Sequence, residues 1–571
     1  MHFLNQPGFK KIIHLFELTC CVLLSVVFFS PTVLAFSFEP GLIGKSISNT
    51  SAPSIPRAGP GLTQAPVEKP AINPEAAKIT FELNRVEISG NTAFPTKELQ
   101  ALFKPWLHRT ISVAQLQKLV QDITDKYQKA GYFLSKAILP PQEISNGAVK
   151  VTVIEGFISE IKVQGVTKPE LIRFLEKFGK AITANRPAKL AYLEKKLLIL
   201  NDTPGFGVKS VLAPDPAVPL GSTLTLVTEY DPVQVTLMQD NYQTRFLGPD
   251  ETTLFAQSNS SIIPGGTLYA RLLNANEQRN LQYYEMRHDQ VLGTNGLILT
   301  LDSFVTLTHP KFVLTPLKIF GQSSDANVSL SYPLIRTKQR NLRIFGQFES
   351  MTNFSNALGE QLYIDRIRDV YFIAQYSDFL WKGEDFLNFT LDAGLNVLGA
   401  GGLGFRSRTG ADPSFLKLVL TASRNQVIND HFSVYALVTA QHSNHILPAA
   451  ETFFFGGPFI GRGYDWAQFT GDKGVAGKAE LRLNTAPNWR FLKQVQYFGF
   501  YDSGKVWSLI DGIPPISGTS AGFGLRAMIS KNINAEGFFG KPITTPNASQ
   551  VLAGHSGHAF LGYFQVSAVL F

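Results

Sequence analysis

The 571-residue sequence predicts a mixed fold: two small α/β modules followed by a transmembrane antiparallel β-barrel of about 16 strands. Three observations lead there. Charged residues make up only 17% of the chain, below the quarter usual in soluble proteins, while Gly (47), Phe (44) and Tyr (17) are abundant. After the N-terminus no run approaches about 18 apolar residues, so any membrane crossing must be made by strands. From residue 231 onward, short segments alternate apolar and polar residues, and the chain ends on the aromatic Phe571.

Residues 1–35 read as an export signal: Lys10 and Lys11, a largely apolar stretch over 15–29, then Pro31 and the small-residue site Val33-Leu34-Ala35. Cys20 occupies the position where a lipoprotein signal carries a small residue, so lipidation at Cys21 is not expected. Removing the segment leaves no cysteine, which excludes disulfides, thiolate metal sites and Cys nucleophiles. The formal charge of +8 is spread over scattered Lys and Arg with no basic block, and no nucleic-acid partner is expected. Residues 36–78, with Ser51-Ala-Pro-Ser-Ile-Pro56 and Pro60-Gly-Leu-Thr-Gln-Ala-Pro66, cannot bury enough apolar area to offset their ordering entropy; they read as a linker without a helix.

Residues 79–156 form the first module. Val86 and Ile88 alternate with charged neighbours before the turn Gly90-Asn91. A short helix is predicted over 96–103, and Ser112 and Gln115 are spaced as a capping box for a longer one bearing Leu116, Leu119, Val120, Ile123 and Tyr127 on one face. Gly131 ends it, an extended segment covers 132–139, and Val149, Val151 and Val153 mark a strand. A similar order recurs over 157–230: Ile161 and Val163, helices at 171–178 and around Leu190, Leu193 and Leu197, then strands at 206–211 and 224–229.

Residues 231–571 supply the barrel. Strand segments include Val233-Gln-Val-Thr-Leu, Leu297-Ile-Leu-Thr-Leu-Asp, Val328-Ser-Leu-Ser-Tyr, Leu342-Arg-Ile-Phe-Gly-Gln-Phe and Phe386-Leu-Asn-Phe-Thr-Leu. The last segment is irregular, since Gln565 and Ser567 share the phase of Val569 and Phe571.

Val86-Glu-Ile-Ser-Gly-Asn-Thr-Ala-Phe94, Gly131-Tyr-Phe-Leu-Ser and Gly147-Ala-Val-Lys-Val-Thr-Val-Ile-Glu-Gly156 closely resemble the polypeptide-transport-associated (POTRA) domains of outer-membrane transporters. A three-stranded sheet with a free edge accepts an extended client by main-chain pairing. The expected client-contact residues are Tyr132, Phe133, Leu134, Ser135 and Lys136.

The barrel carries Phe455-Gly456-Gly457-Pro-Phe-Ile-Gly461-Arg462-Gly463-Tyr464 and, further on, Phe500-Tyr-Asp502-Ser-Gly504. With POTRA-like modules before a barrel, the chain resembles the two-partner secretion transporters, the haemolysin activation and secretion protein family. The resemblance implies secretion of a partner exoprotein through a barrel in the bacterial outer membrane, with the POTRA modules in the periplasm. It also implies that Arg462, on a loop folded into the lumen, pairs with Asp502, supported by Gly456, Gly457, Gly463, Tyr464, Phe500 and Gly504. In a watery lumen that pair is expected to contribute about 1 kcal/mol. Two departures stand out. Gly461 replaces the family's β-branched residue, which is expected to loosen the tip, and the Pro-rich stretch gives no convincing plug helix, which leaves open whether the barrel is plugged at rest.

No enzyme activity, cofactor or metal is expected. Gly399-Ala-Gly401-Gly-Leu-Gly404 has dinucleotide-binding spacing but strand-like flanks, and His431, His442 and His445 match no closed metal site. The expected partners are the secreted exoprotein, outer-membrane lipid and, because the terminal Phe resembles a barrel-insertion signal, the barrel-assembly machinery. An outer-membrane protein insertase, or a pore or receptor for a nutrient such as haem, stands as the alternative.

Overall fold

The computed structural model describes residues 40–50, 63–64, 74–260, 262–276, 280–401, 404–487, 489, 491–544 and 560–570. The export signal and Phe571 lie outside the described residues. No described helix is long and apolar enough to cross a membrane.

The chain enters with a helix, α1 (Pro40–Thr50), where the sequence reading placed only linker. The first module follows as β1 (Thr80–Leu83), β2 (Arg85–Ser89), α2 (Thr96–Gln100), β3 (Arg109–Ser112), α3 (Val113–Lys129), β4 (Lys136–Ile138) and β5 (Ala148–Ile154). The Ser112 hydroxyl accepts from the Gln115 amide at 3.2 Å and the Gln115 side chain accepts from the Ser112 amide at 2.8 Å. That reciprocal cap fixes where α3 begins, and Gly131, at φ +89°, turns the chain at its other end. β5 is the middle strand of a three-stranded sheet, parallel to β2 and antiparallel to β4. The β1–β3 ribbon has no clear alternation and was not legible.

The second module runs β6 (Phe157–Gln164), α4 (Pro169–Thr183), α5 (Leu190–Asn201), β7 (Phe206–Pro214) and β8 (Gly221–Tyr230). Its sheet carries a fourth strand from far upstream: Thr63–Gln64 lies parallel to β7, opposite Val211 and Leu212.

Sixteen antiparallel strands then close into a barrel: β9 (Val233–Asp240), β10 (Glu251–Asn259), β11 (Gly266–Ala275), β12 (Leu281–Leu292), β13 (Leu297–Thr308), β14 (Phe320–Arg336), β15 (Arg340–Ala357), β16 (Glu360–Leu380), β17 (Gly383–Gly394), β18 (Leu416–Val427), β19 (Phe432–Ser443), β20 (Lys473–Thr485), β21 (Gln494–Trp507), β22 (Ile516–Met528), β23 (Ile533–Pro542) and β24 (Leu561–Val569). β9 closes on β24 from Thr236↔Val569 to Asp240↔Gln565. The two-residue period separates the faces: Val370 and Phe372 are 43% and 46% exposed while Tyr371 between them is 9% exposed. Outward apolar and inward polar residues are what a lipid-facing barrel requires.

The second module grips one end of the barrel through its short turns. The Arg336 fork meets Asp202 with two 2.7 Å bonds, Lys338 pairs with Glu194 at 2.6 Å, and Lys196 reaches Asn295 at 2.6 Å. Short turns mark the periplasmic rim of such barrels, so the modules sit on the periplasmic side.

Candidate functional site: an arginine-tipped loop and a helix within the barrel

Residues 444–472, between β19 and β20, fold back into the lumen as a ribbon of Phe453–Phe455 against Phe469–Gly471. Gly456 and Gly457 open the turn beyond it, and the tip presents Arg462. Its Nε and Nη2 donate to Asp502 at 2.9 and 2.7 Å, and its Nη1 donates to Glu480 at 2.5 Å. The Gly461 and Arg462 amides both donate to Asp502 Oδ2 at 3.0 Å. The guanidinium lies 3.6 Å from the centre of the Phe500 ring, stacked as a planar cation prefers.

This geometry departs from the sequence reading in two respects. Arg462 is 2% exposed and Asp502 fully buried, because Phe500, Phe538 and the loop backbone exclude water, so the pair is not screened as a wet lumen would screen it. Buried pairs broken from one side lose about 3–5 kcal/mol. Nor does Gly461 loosen the tip: its φ is +80° and an added Cβ would stand 2.8 Å from the Gly456 amide nitrogen. The glycine permits the conformation that aims the amide at Asp502.

The remaining motif residues seat the tip. The Tyr464 hydroxyl accepts from the Thr519 amide at 2.9 Å and donates to the Thr544 carbonyl at 2.8 Å. Gly463 lies against the backbone of Lys541 and Pro542, and Gly504 beneath the Phe455 ring.

Glu480 was missed by sequence reasoning and is the hub of the cluster. Besides Arg462 it receives Arg482 at 2.7 Å and Arg526 at 3.1 Å. The alternation Lys478, Glu480, Arg482, Asn484 on β20 was the available signal, since it puts these residues on one face. A second missed pair, Arg408 with Asp472 at 2.5 and 2.9 Å, ties the loop base to a neighbouring loop.

Residues Pro40–Thr50, expected to be unstructured, lie inside the barrel as α1. Leu42, Ile43 and Ile47 are buried with Tyr283, Phe304, Met351 and Ile367 of the wall and with Ala450 and Trp466 of the loop. The Lys45 ammonium enters an acidic well: it lies 2.6 Å from Glu349 and 3.0 Å from the Tyr371 hydroxyl, and it also pairs with Glu451 at the loop base. Arg271 donates to the Ile47 carbonyl at 2.5 Å. Among the described residues the one group arranged as metal ligands is Glu349, Asp369 and Glu451, and Lys45 fills it. His431, His442 and His445 form no such group there.

The expected client-contact segment is largely committed elsewhere. Phe133 and Leu134 pack on the core of the second module, Ser135 is 1% exposed, and Tyr132 lies under the Lys189 ammonium, 4.9 Å from its ring centre. The Gly131 carbonyl accepts from the Leu190 amide at 2.9 Å. Tyr132, Phe133, Leu134 and Ser135 thus belong to the seam between modules, and only Lys136, exposed at the start of β4, stands on a sheet edge, where the Thr124 hydroxyl already accepts from the Ala137 amide at 2.9 Å.

Comparison with known proteins agrees with this architecture. The profile of the POTRA domain, ShlB-type, matches residues 81–156, and that of the haemolysin secretion/activation proteins ShlB/FhaC/HecB matches residues 306–525. The heme/hemopexin transporter protein HuxB of Haemophilus influenzae (strain 86-028NP) is 26% identical over 266 residues, 46% of this chain and 46% of HuxB. The outer membrane transporter CdiB of Escherichia coli O6:K15:H31 is 32% identical over 89 residues, 16% of this chain and 15% of CdiB. Each matched stretch therefore spans less than half of the relative. A solved structure of CdiB from Escherichia coli superposes with a TM-score of 0.75 at 18% identity, covering 94% of this chain and all of that one, which establishes the shared fold. The chain thus joins a POTRA domain of the ShlB type to a barrel similar to that of the haemolysin secretion/activation proteins, in the architecture of a POTRA-bearing outer-membrane β-barrel.

Proposed function

We propose that the chain exports one partner exoprotein, received unfolded in the periplasm by the POTRA modules and threaded outward through the barrel. One observation carries this reading: a closed barrel with two modules at its periplasmic rim has its lumen filled by α1 and the 444–472 loop, both held by side-chain contacts that can break while every wall strand stays paired. A passive pore has no need of removable fillings. Arg462 and Asp502 act as the lock of the loop in this proposal, with Gly456, Gly457, Gly463, Tyr464, Phe500 and Gly504 shaping its seat. Export draws its direction from folding of the client outside. The outward apolar residues contact outer-membrane lipid, and the barrel-assembly machinery inserts the chain.

The test is the culture medium of three strains: wild type, a deletion, and Arg462→Ala. One exoprotein should disappear on deletion and fall sharply in Arg462→Ala while the variant barrel remains in the outer membrane. Unchanged secretion in the deletion strain overturns the proposal. Loss of many barrels at once would identify an insertase instead, and ion conductance without exoprotein loss would identify a nutrient pore.

A further inference from the structure

The outer wall of β16 carries two arginines that no carboxylate of the described chain pairs with. Arg366 and Arg368 are half-buried and stand in phase with the exposed, outward-facing Val370 and Phe372. Asp365 and Asp369 of the same strand point the other way: both are buried, and they accept from the Ser407 amide at 3.2 Å and the Tyr371 hydroxyl at 3.1 Å. Among the described residues neither arginine has an ion-pair partner. Arg368 Nη1 donates to the Met351 and Ile367 carbonyls at 2.8 and 2.6 Å, which lays the guanidinium against the wall and leaves its Nε and Nη2 for another acceptor. The outward charges at the opposite end of this wall are matched instead: Arg340 meets Asp378 at 3.0 Å and Arg424 meets Asp385 at 2.5 Å.

The two sets of charges bracket the lipid-facing band. Ten residues separate Arg368 from Asp378 along β16, about 33 Å of strand at about 3.3 Å per residue. A strand tilt of about 40° reduces this to about 25 Å, the height of an outward apolar band. The short Trp381–Lys382 turn closes the periplasmic end, so the arginines mark the extracellular border, where a charge is tolerated because it meets headgroups. The register sets hydroxyls beside them, with Thr352 opposite Arg366 and Ser350 opposite Arg368 on β15. Toward the midplane lie Val370, Phe372 and, opposite Phe372 on β17, the exposed Leu391. Guanidinium forks above an apolar face match a phosphate carried on acyl chains, since the fork binds phosphate bidentately. We propose that this patch binds the phosphorylated headgroup of an outer-leaflet glycolipid, whose acyl chains lie on Val370, Phe372 and Leu391. The inner face of the same stretch holds Asp369, 3.9 Å from the Lys45 ammonium, so the bound lipid braces the wall where α1 is seated.

Native mass spectrometry of the full-length protein in detergent micelles tests this. The probes are diphosphoryl lipid A, zwitterionic phosphatidylethanolamine and inorganic phosphate. Wild type should bind lipid A in preference to both others. Each basic group at an anionic membrane surface contributes about fivefold in affinity, so Arg366→Gln with Arg368→Gln should weaken lipid A binding about twenty-five-fold while the barrel keeps its heat-modifiable migration. Either substitution alone should weaken it about fivefold, which keeps the test open if the pair fails to fold. Arg340→Gln with Asp378→Asn, at the periplasmic border, should leave lipid A binding unchanged. Equal binding of lipid A and phosphatidylethanolamine by wild type, or wild-type lipid A affinity in the glutamine variants, overturns the inference. Inorganic phosphate bound as tightly as lipid A overturns the lipid as its occupant. None of these results depends on whether an exoprotein is exported.

Discussion

The loop lock can be measured through a residue that it hides. Ser520 on β22 is fully buried and lies beneath the tip, its Cβ 2.7 Å from where a Cβ on Gly463 would stand. Its hydroxyl has no hydrogen-bond partner, so Ser520→Cys removes nothing and installs a thiol that a maleimide reaches only when the tip undocks. Arg462→Ala deletes two bonds to Asp502 and one to Glu480. Glu480 retains Arg482 and Arg526, and Asp502 retains the amides of residues 461 and 462 while the backbone holds its course. The loss therefore lies near the lower end of the range for a broken buried pair, about 3 kcal/mol. At about 1.4 kcal/mol per factor of ten, the undocked fraction and the labelling rate at position 520 should rise about a hundredfold. Arg462→Lys should fall between, because an ammonium cannot bridge both carboxylates as the fork does. A labelling rate in Arg462→Ala within about threefold of wild type, far below the rise that the buried-pair cost demands, would refute the claim that the ion pair holds the tip.

Three further outcomes follow from other contacts. Lys45→Glu places a carboxylate among Glu349, Asp369 and Glu451, where like charge costs several kcal/mol; single-channel recordings should show a predominantly open pore, and wild-type closure would contradict the placement of α1. Glu480→Gln withdraws a shared charge from three guanidinium groups and should raise labelling at Ser520→Cys even though Arg462 and Asp502 are untouched; an unchanged rate would show that Glu480 is a bystander. In the first module, burial alone would push the Glu155 carboxyl up, but hydrogen bonds from the Ala93 amide, the Thr92 hydroxyl, the Tyr127 hydroxyl and the Thr92 amide hold it below its ordinary value. A carboxylate whose pKa is lowered by folding stabilises the module above its unfolded value, and that contribution disappears as pH falls through the folded value. Glu155→Gln should accordingly cost about 2 kcal/mol at neutral pH and flatten the acid limb of module unfolding followed by hydrogen exchange; an unaltered limb would remove Glu155 as its source.

Much of this molecule was legible because its periods are local. The capping box at Ser112 and Gln115 located α3, and alternation in segments such as Leu342-Arg-Ile-Phe-Gly-Gln-Phe located wall strands. What escaped reading depends on tertiary partners. Pro40-Gly-Leu-Ile-Gly-Lys carries two glycines, each unfavourable in an isolated helix by about 1 kcal/mol; α1 forms because Gly41 and Gly44 allow close approach to Asn353 and Phe304 and because Lys45 finds its acidic well. Similarly, Tyr132 to Ser135 read as an open edge because nothing local announces that a second module packs against them. The loop motif and the strand motif announced Arg462 and Asp502, but their burial depends on Phe538 and Glu480, which stand on other strands.

The central claim is that the exoprotein travels inside the barrel, and neighbouring residues on β16 test it directly. A photo-crosslinking amino acid at Tyr371 faces the lumen, whereas one at Phe372 faces outward. With secretion in progress, the exoprotein should crosslink from position 371 and not from 372. Capture from 372 alone, or from neither position while secretion continues, would contradict passage through the barrel.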